Sequence, residues 1–130
     1  MQIKDLVTGI QHIGVPTNDI EKTIDFYSRL GFEVAFRTPE EPGKDKVAFL
    51  CFKNVTIETY QNGRACMKSG AIDHIALDVT DIDKAFQVIS AGGFTMLDRE
   101  VQSLPFWENG VKFFNILGPN SEIIEFSQKL

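Results

Sequence analysis

Histidine is scarce in this chain: His12 and His74 are the only two among 130 residues. Basic residues are also in short supply, 13 Lys and Arg against 18 Asp and Glu, which leaves a net charge of -5. A chain without a basic face lacks what phosphate backbones require, so no nucleic-acid partner is expected. No apolar run approaches the roughly 18 residues of a membrane span, and the N-terminus lacks the apolar core of a signal peptide. No membrane association is expected, and the cytoplasm is the expected location. Cysteine is limited to Cys51 and Cys66. Without an export signal, two reduced thiols are expected rather than a bridge. What remains is an ordinary globular composition, 43% hydrophobic and 24% charged, long enough to bury one core.

Both histidines fall in matching stretches. Gly9-Ile-Gln-His-Ile-Gly-Val-Pro16 lies on Ala71-Ile-Asp-His-Ile-Ala-Leu-Asp78 at a shift of 62 positions. Across 26 gapless positions, Gly9–Val34 against Ala71–Met96, nine residues are identical, including the histidines, Asp19/Asp81, Ile20/Ile82 and Gly31/Gly93. The last strands match too: Val55–Gln61 lies on Glu122–Gln128, pairing Glu58 with Glu125 and Gln61 with Gln128. The shift there has grown to 67, so the second unit carries five extra residues, most economically in Gln102–Gly110. An internal repeat of this kind decides the architecture before any single element does.

Each unit reads as strand, helix, strand, strand, strand. In the first, Met1–Thr8 is expected to have little structure, and the β-branched run Ile10–Val15 is a strand. Asn18 and Glu21 have capping-box spacing before a helix with Ile20, Ile24, Tyr27 and Leu30 on one face, ended by Gly31. Strands are expected at Phe32–Arg37, Lys46–Phe52 and Val55–Gln61, the last two joined by Lys53-Asn54. The second unit has a strand at Ile72–Val79, a helix capped at Thr80-Asp81 with Ile82, Phe86 and Ile89 inward, and a stop at Gly92-Gly93. Further strands are expected from Met96 to about Val101, at Val111–Leu117 and at Glu122–Gln128.

The repeat therefore supplies one histidine in each first strand and one glutamate in each last strand. Alternation puts His12 on the face of Gly14 and His74 on the face of Ala76, small residues that leave room beside each ring. Glu58 and Glu125 interrupt apolar strands, and a carboxylate among apolar residues needs a partner. Two imidazoles and two carboxylates are a nitrogen and oxygen donor set suited to divalent Zn, Ni, Co, Mn or Fe.

These features resemble the vicinal oxygen chelate superfamily, of which glyoxalase I is a member. The resemblance spans Ile10 to Gln128. It rests on the His12 strand, Asp19-Ile-Glu-Lys-Thr-Ile-Asp-Phe-Tyr27 leading to Leu30-Gly31-Phe32, Ile57-Glu58, Asp73-His74-Ile75-Ala76, and Gly118-Pro119-Asn120 before Ile124-Glu125-Phe126. It implies an α+β fold, one domain over residues 1–130 with modules of about 9–62 and 71–130, each βαβββ, whose curved mixed sheets surround a metal site. It further implies His12, Glu58, His74 and Glu125 as metal ligands, and a lactoylglutathione-lyase-like enzyme in which the cation stabilises an enediolate of a small oxygen-chelating substrate. Glu125, then Glu58, is the implied proton-transfer base. A homodimer is implied, with each site built either within one chain or from modules of two.

The glutathione features of glyoxalase I are only partly matched. An arginine four residues after the first metal histidine is replaced by Pro16, whereas Asn62 matches the asparagine four residues after the first metal glutamate. A Lys/Arg-bearing stretch gives way to the apolar and aromatic Ser103–Gly110. Trp107 and Phe113 are candidates to wall a substrate pocket with Asn62; Trp107 equally suits a dimer contact or a cover for a sheet edge. Related activities in the superfamily, an epimerase or a fosfomycin-modifying enzyme, and a metal-free binding protein of the bleomycin-resistance type, are the alternatives.

Overall fold

Each half of the repeat folds as a strand, a helix crossing one sheet face, and an antiparallel meander that returns beside the first strand. The structure, a computed structural model, describes residues 2–8 and 10–130; Met1, and Gly9 where the first module is expected to begin, lie outside the described residues. The chain is α+β and divides into two compact units, Met1–Ala65 and Cys66–Leu130.

The first unit comprises α1 (Ile3–Leu6), β1 (Ile13–Thr17), α2 (Ile20–Leu30), β2 (Glu33–Arg37), β3 (Val47–Phe52) and β4 (Val55–Gln61). Its mixed sheet has the order β1-β4-β3-β2, with β1 parallel to β4 and the other pairs antiparallel. Strands β1 and β2 thus run parallel at opposite edges, a connection that requires a crossover, which α2 supplies. The edge position also explains how β1 tolerates Pro16, which has no N–H to give a second neighbour. Helix α2 starts at Asp19, whose carboxylate accepts the Lys22 amide at 3.2 Å. The expected Asn18–Glu21 capping box does not form: Asn18 accepts the Ala65 amide and Glu21 turns to Arg37. The buried face of α2 is Ile20, Thr23, Phe26 and Tyr27, shifted from the expected stripe, with Ile24 and Leu30 half-buried. Thr23 can face inward because its hydroxyl meets that of Thr17 at 2.8 Å. Ala48, Leu50, Ile57 and Thr59 form the sheet side of this core. Burial of each large aliphatic residue contributes about 1.5–3 kcal/mol. Gly31 closes the helix at φ 110°, a left-handed conformation that favours glycine.

The second unit repeats the plan with β5 (His74–Asp78), α3 (Ile82–Ala91), β6 (Thr95–Met96), β7 (Gln102–Leu104), β8 (Val111–Leu117) and β9 (Ile123–Lys129). Its order β5-β9-β8-β6 matches the first sheet element for element, and β7 pairs with β8 in addition. Asp81 caps α3 by accepting the Lys84 amide at 3.0 Å. Ile82 and Ile89 are buried, and Phe86 packs edge-on against Phe114 at 5.1 Å.

Several expectations need correction. Strand β1 begins at Ile13 rather than Ile10, and β5 spans His74–Asp78 rather than Ile72–Val79. Ladder partners, not β-branching, decide where a strand starts: the β1 ladder pairs Ile13–Thr17 with Ile57–Gln61, and Ile10 is 86% exposed. The N-terminal stretch, expected to be irregular, forms the single turn α1, in which Asp5 accepts the Gln2 amide. The expected strand from Met96 to Val101 stops at Met96. Pairing resumes at β7, inside the Gln102–Gly110 stretch where the five extra residues are expected, so that stretch is a hairpin arm on β8 rather than a plain loop. Both cysteines are free, Cys51 half-buried and Cys66 exposed. Among the described residues no helix is long and apolar enough to cross a membrane.

Candidate functional site

The register of the parallel strand pair sets the chemistry of each unit. In the first, β1 pairs with β4 so that Gly14 faces Glu58; in the second, β5 pairs with β9 so that Ala76 faces Glu125. Both match the shifts of 62 and 67 read from the sequence. Two residues before each small residue stands the histidine. His12, immediately ahead of β1, brings Nε2 to 3.5 Å from Glu58 Oε1; His74, the first residue of β5, brings Nε2 to 2.9 Å from Glu125 Oε2. Each unit thus presents one imidazole–carboxylate pair on the sheet face opposite its helix.

The other ring nitrogen is held in both cases by the preceding residue. His12 Nδ1–H donates to Gln11 Oε1 at 3.0 Å, and His74 Nδ1–H donates to Asp73 Oδ2 at 2.8 Å. With the proton on Nδ1, the Nε2 lone pair points toward a carboxylate oxygen. Two electron donors facing each other in this way are satisfied by a shared proton or by a cation. An imidazole oriented by an oxygen acceptor at its remote nitrogen is the arrangement that metal-binding histidines use. The residues of each pair therefore fit a divalent ion by donor chemistry. Among the described residues no three His, Cys, Asp or Glu side chains are grouped so as to hold a metal, and each pair stands within its own unit.

The surroundings of the two pairs differ. In the first unit, Phe49 lies opposite Glu58 on β3 and packs edge-on to His12, with ring centroids 5.5 Å apart. The space expected beside His12 at Gly14 is covered: a Cβ there would meet the Tyr60 ring at 3.5 Å. Tyr60 carried no signal in the sequence, because its contact depends on the β1–β4 register. In the second unit the matching positions are Asn115, opposite Glu125 on β8, and Ser127. Smaller polar residues there leave a cleft of about 650 Å³ lined by His74, Glu125, Asn115, Ser127, Phe113 and the hairpin arm. Asn115 is fixed by Asp98, whose carboxylate accepts both its backbone amide and its side-chain amide. Glu125 is the more enclosed carboxylate, with 16% of its side chain exposed against 28% for Glu58.

Of the residues expected to meet substrate, Trp107 and Phe113 line this cleft. Trp107 sits at the arm's tip with φ 62°, and its ring carries Lys129 Nζ at 3.8 Å from the centroid. Asn62 is exposed in the first unit, and its Oδ1 accepts the Arg64 amide at 2.9 Å, an Asx turn.

The repeated glutamines have a role that the sequence comparison left open. Gln61 Oε1 accepts the Ile20 amide at 3.0 Å and Gln128 Oε1 accepts the Ile82 amide at 2.8 Å. Each last strand thereby satisfies one of the unpaired amides at its helix N-terminus. This ties the strand bearing the glutamate to the helix behind it.

Comparison with known proteins bears on the family and the fold. The family model described as Glyoxalase/Bleomycin resistance protein/Dioxygenase superfamily matches residues 9–102. The protein YwbC of Bacillus subtilis (strain 168) is 33% identical over 125 residues, 92% of this chain and 97% of that protein. A glyoxalase family protein from Enterococcus faecalis superposes with a TM-score of 0.74 at 18% identity, covering 94% of this chain and 98% of that one. The fosfomycin resistance protein FosX of Listeria monocytogenes, complexed with Mn(II) and sulfate, gives 0.70 at 16% identity over 95% and 94%.

Proposed function

Because the chain belongs to the Glyoxalase/Bleomycin resistance protein/Dioxygenase superfamily, we propose that it is a divalent-metal-dependent lyase or isomerase of the glyoxalase type. In this reading His12, Glu58, His74 and Glu125 hold the ion, within one chain or across a cytoplasmic homodimer, and the whole chain acts as one catalytic domain. The observation that carries it is the twofold imidazole–carboxylate pair, placed by the same strand register in both units. The Mn(II) held by the structurally similar FosX is in keeping with this donor set.

When bound, a divalent cation supplies Lewis acidity for two adjacent substrate oxygens and stabilises the negative charge that follows loss of a neighbouring proton. The remaining work belongs to the protein. Glu125 moves the proton, because its carboxylate borders the cleft and is the less solvated of the two glutamates. Asp73 holds the His74 ring so that Nε2 stays available. Phe113 and Trp107 line the cleft as its aromatic surfaces. Asn62 is the remaining contact for a thiol-bearing substrate. The aromatic arm and Pro16, in place of basic residues, favour a substrate other than the glutathione adduct.

The test is turnover of methylglyoxal adducts formed with several thiols, on protein loaded with Ni(II), Zn(II) or Mn(II). Turnover that requires the ion supports the reading. A protein that neither binds nor responds to any divalent ion is instead a metal-free ligand-binding member of the superfamily.

A further inference from the structure

Among the described residues, Lys129 is the one Lys or Arg lining the cleft that also holds His74 and Glu125. Its ammonium is not neutralised: among the described residues no carboxylate lies within ion-pair distance of it, and its partner is the face of Trp107, 3.8 Å away. An aromatic ring steadies an ammonium without cancelling its charge and leaves its N–H donors free on the side away from the ring. Glu125, Ser127 and Lys129 lie on one face of β9, so Lys129 stands about 13 Å along the strand from Glu125 at 3.3 Å per residue. Between these ends the lining is mainly apolar, from Phe113, Val111, Leu104 and Phe106, with Ser127 as the polar residue of the strand between them.

We infer that this cleft takes an elongated organic anion, its carboxylate bound by Lys129, its apolar middle against Phe113 and the hairpin arm, and its far end at His74 and Glu125. Trp107 is the positioning residue that holds the ammonium at the mouth. The inference names a substrate class for the proposed site and rests on that reading only for the chemistry at the His74 end. The longer connection of the second unit gains a purpose: Gln102–Gly110 forms the arm that brings Trp107 to Lys129.

Trp107 is the only tryptophan, so its fluorescence reports on this end of the cleft alone. The experiment titrates metal-free, full-length protein with straight-chain carboxylates of four to ten carbons and with the matching primary amides. The carboxylates are expected to change the Trp107 emission and to bind about tenfold more tightly than the amides, the scale of one charged hydrogen bond. Lys129→Gln is expected to remove that preference and Lys129→Arg to retain it. Equal binding of acids and amides, a preference unchanged in Lys129→Gln, or no binding by any chain length overturns the inference. Metal titration of the same samples judges the four-ligand reading separately. Protein that binds carboxylates through Lys129 but takes up no divalent ion refutes that reading and leaves this one standing.

Discussion

Glu125→Gln separates proton transfer from the architecture that supports it. The change removes a negative charge while keeping side-chain volume, so the packing against Ala76 and Asn115 survives. The new amide can still donate to His74 Nε2, which now lies 2.9 Å from the carboxylate. Stability should therefore change little, by about 1 kcal/mol or less, the scale of one net hydrogen bond. Turnover should not survive so well. Loss of a positioned general base costs about 10²–10⁴ in rate, or about 3–5 kcal/mol of transition-state stabilisation. Glu58→Gln should also weaken metal binding, but Phe49 and Tyr60 crowd its surroundings. Its kcat at saturating metal should fall by less. The assay is kcat for the best thiol adduct, with each variant titrated to full metal occupancy so that affinity and chemistry are read apart. Equal losses, or a larger loss from Glu58→Gln, would refute the assignment of the base.

Two further predictions concern the frame. Gln128→Ala should cost about 1 kcal/mol, because the Ile82 amide loses its acceptor. Gln128→Glu keeps an oxygen acceptor at a helix N-terminus and should retain most of the melting temperature, so equal destabilisation by both would show that the contact is immaterial. The Arg37 guanidinium bonds Glu21 at 2.7 Å and holds its carboxyl below the usual value, mainly through that hydrogen bond. Its contribution is thus present above the ordinary glutamate range and fades as pH falls through the lowered value. For so exposed a pair it amounts to about 0–1 kcal/mol. Urea melts of wild type and Arg37→Gln should differ slightly near neutrality and converge in acid, and a gap that widens in acid would contradict the sign.

Much of the fold was legible because the chain describes it twice. The shifts of 62 and 67 fix which strand residues correspond, and the observed registers Gly14–Glu58 and Ala76–Glu125 agree with them. Helix ends were readable where one residue carries the conformation, as at Gly31. Strand starts were not, because Ile10 and Ile72 have strand-forming side chains but no ladder partner. The β7 arm was hidden for the opposite reason: Gln102-Ser-Leu104 has little strand character of its own and is recruited by the edge of β8. At the site, one histidine and one glutamate per unit followed from the repeat, whereas the contact of each histidine with its own glutamate is set by the strand register. The Tyr60 ring over Gly14, the acceptors Gln11 and Asp73, and the Lys129–Trp107 contact depend on side-chain directions that no spacing encodes.

Binding of a divalent ion tests the central claim most directly. Purified protein, stripped with chelator and titrated with Ni(II), Zn(II) or Mn(II) in a calorimeter, should bind tightly, and melting temperature should rise with free metal. A hundredfold excess over Kd corresponds to about 2.7 kcal/mol of stabilisation. His12→Ala and His74→Ala should each abolish most of that binding if the proposed four-ligand site holds. No binding would contradict the four-ligand site, and binding unaffected by His12→Ala would show that the second unit's pair acts without the first.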